Sequence, residues 1–193
     1  MDAGQSAQLV VHIVPLGAIA DAAIEETARG LRAHAPVTVM VEARNPLPPE
    51  TRSVILGRYR AERILEWMQG LELGPGKLMG VTEVDIVTKK GKNDNWGILG
   101  LGTLDGRCSV LSTFRMKRIW ENGGAPDSLV RERLWKTAVH ELGHTLGLPH
   151  CPNRGCIMED AHGTVKTTDR ETELCPDCAR RFNEAAARTS GPP

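Results

Sequence analysis

His140 and His144 stand four residues apart with Glu141 beside the first, and His150 follows beyond Gly147, so half of the chain's six histidines fall within eleven residues. On an α-helix, positions four apart lie one above the other on the same face, and two imidazoles placed there can share one metal ion. Gly147 sits where such a helix would end. Glycine takes the left-handed conformation at little cost, and that turn brings His150 back toward the pair. Three neutral imidazoles leave the fourth position of a tetrahedral zinc ion for water, and Glu141 is within reach of that water's proton. The spacing therefore predicts His140, His144 and His150 as ligands of a catalytic zinc, Glu141 as general base and Gly147 as the turn. A glutamate downstream, Glu171 or Glu173, is the alternative third ligand.

A second set of ligand-forming residues begins at once. Of the five cysteines, Cys151 and Cys156 form one close pair, Cys175 and Cys178 another, and Cys108 stands alone. Two pairs bracketing a loop suit a closed four-thiolate zinc, which contributes folding energy where the chain has little regular structure. His162 could replace one thiolate, and buried or redox-active thiols are the plain alternatives. Two zinc ions per chain, one catalytic and one structural, follow as the expectation. Cys108, in an apolar run, is expected in the core, and His12 and His34 are expected to be structural.

The elements that must position these residues read as follows. Gln8 to Leu16 is apolar and valine-rich, as in a buried strand. Ala18 to Ala35 repeats apolar residues at helical spacing, and Val37 to Val41 is a second strand. The three prolines between Asn45 and Glu50 force a loop. Arg58 to Leu71 reads as a helix, Met79 to Lys89 as one strand, Trp96 to Gly102 as another, and Cys108 to Thr113 as a third after an Asp105-Gly106 hairpin turn. The histidine-bearing helix is expected to start at Asp127 or Ser128, either acting as cap. Its stripe of Trp135, Val139, Leu142 and Leu146 faces the core, which leaves the histidines on a cleft. Pro176 to Ala187 is a last helix anchored by Phe182, and residues from about 189 to 193 are expected to form a frayed tail. Strand, helix, strand, helix and further strands give an α/β (α+β) class: a mixed twisted sheet with two backing helices, the metal helix, and a small C-terminal lobe tied by the cysteines.

The 193 residues fit a single domain, with an upper lobe to about residue 147 and a lower lobe from about 148 to 188. Twenty-four basic and twenty-four acidic residues, mixed along the chain, argue against a nucleic-acid surface. No apolar stretch approaches membrane length, and the first residues lack a basic region, so a cytoplasmic monomer is expected.

The run from His140 to His150, followed by Cys151, Cys156, Met158 and the Cys175–Cys178 pair, closely resembles the archaemetzincin signature. That resemblance implies a metzincin-like zincin fold and a zinc-dependent peptidase acting on peptides or unfolded polypeptide. It implies that Met158 is the methionine of the Met-turn beneath the catalytic zinc, and that the strand around Trp96 to Gly102 is the edge on which an extended substrate aligns. The spacer from Met158 to Cys175 holds sixteen residues, about one fewer than the family's pattern. Some metzincins place a tyrosine near the Met-turn, whereas the only tyrosine here, Tyr59, lies far upstream. A zinc-stabilised binding or regulatory protein with a vestigial site is the rival reading.

Overall fold

The computed structural model describes residues 8–53, 57–118 and 124–189. Its centre is a five-stranded sheet of order β2-β1-β4-β8-β7, made by β1 (Leu9–Pro15), β2 (Val37–Val41), β4 (Lys77–Thr82), β7 (Gly100–Gly102) and β8 (Cys108–Ser112). The first four strands in that order are parallel, and β7 returns antiparallel to β8 as an edge. A smaller sheet joins β3 (Tyr59–Arg60), β5 (Ile86–Lys90) and β6 (Asn93–Gly97).

Alternation along the strands sorts side chains to two faces. Val11, Ile13, Met79, Val81 and Leu111 pack with α1 (Asp21–His34) and α4 (Asp127–Thr145). Val14, Leu78, Cys108 and Val110 pack with α2 (Ala61–Gln69) on the other side. Both faces are therefore covered, as a largely parallel sheet requires. The expected mixed sheet, two backing helices and histidine-bearing helix are all present, and Cys108 is fully buried core. Three short or terminal helices complete the chain: α3 (Thr113–Met116), α5 (Val165–Arg170) and α6 (Pro176–Thr189). Residues beyond 147 contribute Leu148, Ile157, Met158 and Phe182 to the same core as α1 and α4.

Several expectations need correction. The single strand expected over Met79 to Lys89 is two, β4 and β5, in different sheets. The break at Glu83–Asp85 is set by tertiary contacts: the Ser112 hydroxyl donates to the Val84 carbonyl at 2.6 Å, and Arg115 grips Asp85 through two bonds of 2.7 and 3.0 Å. Trp96 to Gly102 likewise divides into the end of β6 and β7. Helix α4 starts at Asp127 behind Pro126, and neither Asp127 nor Ser128 caps it. Proline's extended backbone and its carbonyl, which accepts from Leu129 and Val130, replace a side-chain cap. Helix α6 runs through Thr189, and Ser190 to Pro193 lie outside the described residues. The structural histidines find partners: His12 bonds Glu42 at 2.7 Å, and His34 stacks on Trp135 at 4.0 Å between centroids.

Candidate active site

The last two turns of α4 carry His140, Glu141 and His144, and the way this helix ends determines where His150 goes. Gly147 adopts φ +85°, its N–H donates to the His144 carbonyl at 2.9 Å, and the Leu148 N–H donates back to Gly143 at 3.0 Å. These two bonds form a Schellman closure, in which a left-handed glycine turns the chain sharply out of the helix. The Lys77 ammonium donates to the Thr145 carbonyl at 2.8 Å, which satisfies another helix-end acceptor.

The imidazoles are oriented from behind. His140 Nδ1 lies 2.6 Å from the Ile157 carbonyl and His144 Nδ1 lies 2.8 Å from the Leu148 carbonyl. A carbonyl can only accept, so both Nδ1 atoms carry the proton and both Nε2 lone pairs face forward. There, His144 Nε2 stands 3.0 Å from His140 Nε2 and 3.2 Å from His150 Nε2. Lone pairs this close repel unless a cation sits among them. Nitrogens at zinc–nitrogen bond length on a tetrahedron are about 3.3 Å apart, so the cluster fits a zinc ion. Burial and the neighbouring His144 push the His140 pKa down to about 3, which keeps it neutral as a ligand must be.

Glu141 faces the same space and is almost fully buried. Its Oε2 has no hydrogen-bond partner among the described residues. Burial raises its pKa to about 8, opposed by a hydrogen bond from the Gly102 backbone. Strand β7 comes this close because it carries glycine: a Cβ on Gly100 would stand 2.5 Å from Glu141 Oε1, and one on Gly102 would stand 2.6 Å from the Glu141 carbonyl. Gly143 does the same beneath the site. A Cβ there would lie 2.5 Å from the sulfur of the wholly buried Met158.

Beyond His150 the chain doubles back, and Cys151 N–H donates to the Met158 carbonyl at 2.7 Å. The thiols of Cys151, Cys156, Cys175 and Cys178 lie within 4.8 Å of one another, as do the ligand nitrogens of the three histidines. Cys151 Sγ is 3.8 Å from Cys175 Sγ, the spacing expected of thiolates about one zinc, roughly 3.8 Å. Backbone N–H groups of Asn153 and Cys175 point at Cys151 Sγ and Cys156 Sγ. Hydrogen bonds from the Cys178 backbone and the Asn153 amide lower the Cys175 pKa to about 6, whereas burial pushes the Cys156 and Cys178 thiols up.

The histidine cluster opens into a cleft of about 510 Å³. His162 lines it and is not with the cysteines. Neither Glu171 nor Glu173 joins the histidines, and Tyr59 packs in the α2-side core away from the cleft. Residues that sequence reasoning missed include Asp160, whose carboxylate lies 3.9 Å from His150 Nδ1 and 3.0 Å from His162 Nδ1. Thr137 and Thr168 also line the cleft. Thr137 was detectable in principle, since it precedes Glu141 by one turn on the same face.

Comparison with known proteins gives a consistent result. A sequence description of Peptidase family M54 matches residues 24–184. The archaemetzincin of Haloquadratum walsbyi is 32% identical over 176 residues, covering 89% of this chain and 98% of that protein. The archaemetzincin of Thermococcus kodakarensis is 30% identical over 183 residues, covering 90% and 95%. Among solved structures, the archaemetzincin of Methanopyrus kandleri superposes with a TM-score of 0.79 at 24% identity over 95% of this chain and 98% of that one. That of Archaeoglobus fulgidus, a complex with malonate, gives 0.73 at 30% identity over 90% and 99%.

Proposed function

Because the chain belongs to Peptidase family M54, and is a zinc metallopeptidase of the archaemetzincin kind, we propose that it hydrolyses peptide bonds with Glu141 as general base. In this reading His140, His144 and His150 hold the catalytic zinc, and Cys151, Cys156, Cys175 and Cys178 hold a second, structural one. Bound zinc supplies an acidified water, of pKa about 7, and polarises the scissile carbonyl. Glu141 Oε2 takes the proton of the attacking water and returns it to the leaving amine nitrogen. The carrying observation is that this buried, unpartnered oxygen belongs to the residue beside one of three converging Nε2 atoms.

The remaining residues orient. The carbonyls of Ile157 and Leu148 hold the imidazoles in one tautomer, Met158 supports the site from below, and Gly147 delivers His150. Strand β7 is the edge of the sheet on the cleft side, where an extended peptide can add as a further strand. The cleft then runs between an upper lobe ending near residue 147 and a lower lobe of residues 148–188.

Glu141→Ala tests the proposal. The variant is expected to retain zinc while turnover of a peptide library falls by about 100-fold or more, the range for loss of a general base. Unchanged turnover would remove Glu141 from the mechanism. No turnover by the zinc-loaded wild type would favour the vestigial-site reading.

A further inference from the structure

The wall of the cleft contains a carboxylate that the hydrolytic machinery does not use. Glu171, at the C-terminal end of α5, lines the cleft along with Thr137 and Thr168 and is only 3% exposed. Thr137 precedes Glu141 by one helical turn, about 6 Å along α4, so this part of the wall adjoins the reacting centre. The charges around it are already matched. Arg133 is bound by Asp169 at 2.6 and 2.7 Å, Lys136 by Glu132 at 2.6 Å, and Arg170 by Glu159. Among the described residues no side chain stands within ion-pair or hydrogen-bond distance of the Glu171 carboxylate; its oxygens are not fully enclosed, and Lys136 and Arg170 attract it only at longer range. A buried carboxylate without a partner is costly, and proteins retain few of them.

We propose that Glu171 is a specificity-determining residue, and that the recess it lines receives a cationic side chain, lysine or arginine, of the substrate residue next to the scissile bond. The same cleft is lined by Thr137, Thr168 and apolar groups such as Leu99, which can accommodate an alkyl stem while the carboxylate receives its charged end. Burial holds the empty carboxyl protonated up to about 8, with Lys136 drawing it only part of the way back. An entering ammonium group therefore takes the place of that proton. A neutral side chain would leave the carboxyl protonated and gain no charge-assisted bond.

The inference rests on the peptidase reading of the site, and a binding measurement separates the two. N-acetyl-lysine hydroxamate and N-acetyl-norleucine hydroxamate share a zinc-seeking head and differ at the end of the side chain. Calorimetry at pH 8 would give their affinities for the zinc-loaded wild type and for Glu171→Gln. The lysine compound is expected to bind the wild type about tenfold more tightly, and the two are expected to bind the variant within about twofold of each other. An unchanged norleucine affinity in Glu171→Gln would show that the cleft is intact. Equal affinities in the wild type, or a lysine preference that survives in Glu171→Gln, would overturn the recess. Failure of both hydroxamates to bind would overturn the peptidase reading and the recess with it.

Discussion

The three-histidine and four-cysteine clusters each gather their ligand atoms within the same 4.8 Å, yet they are built in opposite ways. Two histidines ride on a 19-residue helix, and their tautomers are set by backbone carbonyls before any ion arrives. The third, His150, is exposed, and the cluster opens into the cleft. The cysteines sit where regular structure is sparse, in the turns from 151 to 156 and at the start of α6, with two of the four thiols buried. The histidine cluster is thus preformed by secondary structure and open on one side, as a catalytic ion needs. The cysteine cluster joins turn segments held by a few backbone hydrogen bonds and by packing at the edge of the core, the setting in which a structural ion would contribute folding energy. The two meet at Cys151, which follows His150 directly, and at Ile157, which follows Cys156 and supplies the carbonyl that orients His140.

The sharpest way to break this contrast is to remove one ligand from each cluster. Cys178→Ser and His144→Ala should each lower the zinc content from two to one per chain, measured by atomic emission. Their stabilities should diverge. The cysteine variant is expected to lose several kcal/mol and to expose the amides of 148–189 to hydrogen exchange, because metal binding there is folding energy. The histidine variant should lose activity and melt within a few degrees of the wild type. Equal destabilisation by both would erase the distinction.

A smaller effect is expected from Gly143→Ala, which acts on the methionine between the two sites. Alanine favours a helix by up to about 1 kcal/mol over glycine, but its methyl would crowd Met158, and overpacking costs about 1–3 kcal/mol. A net loss of about 1 kcal/mol in urea unfolding, with weakened zinc affinity at the histidines, is predicted. A gain in stability would show that Met158 moves freely.

A further effect concerns pH. Glu171 has a folded pKa of about 8 against 4.5 for the free side chain, so the folded state holds its proton over that interval while the unfolded state does not. Its contribution to stability is greatest below about 4.5 and is lost as pH rises through about 8. Glu171→Gln should match the wild type at pH 5 and exceed it at pH 8.5, the gap widening as pH rises toward about 8. Parallel stability curves would contradict the buried, unpartnered carboxyl.

Local spacing made much of the site legible. The helical period places His140 over His144, and Gly147 marks the turn, because both are properties of a short segment. Paired cysteines likewise announced their cluster. What depended on distant contacts was not legible. Met79 to Lys89 reads as one strand, and contacts from distant residues, Ser112, Arg115 and Arg58 among them, break it. Helix α5 went unread because its residues, Val165 to Arg170, lack an apolar stripe and are held to α4 by the Arg133–Asp169 ion pair and a hydrogen bond from Lys136 to the Thr168 carbonyl. With α5 unread, Glu171 could be considered only as a metal ligand, although the fold makes it part of the cleft wall. The glycines at 100, 102 and 143 carried a weaker signal, since a glycine in a strand or helix announces close approach without naming the neighbour.

The coupling between the two clusters is the central claim, and Cys175→Ser tests it most directly. Cys175 touches neither the histidines nor the cleft, so any change at the catalytic site must travel through the loop that ends on His150 and Ile157. Zinc affinity of the histidine cluster, measured by competition with a chelator, should fall by about 10–100-fold in this variant, the usual cost of disturbing a ligand's supporting partners. Peptide turnover should fall with it. Wild-type affinity and turnover in Cys175→Ser, with the second zinc lost, would show that the two sites stand independently.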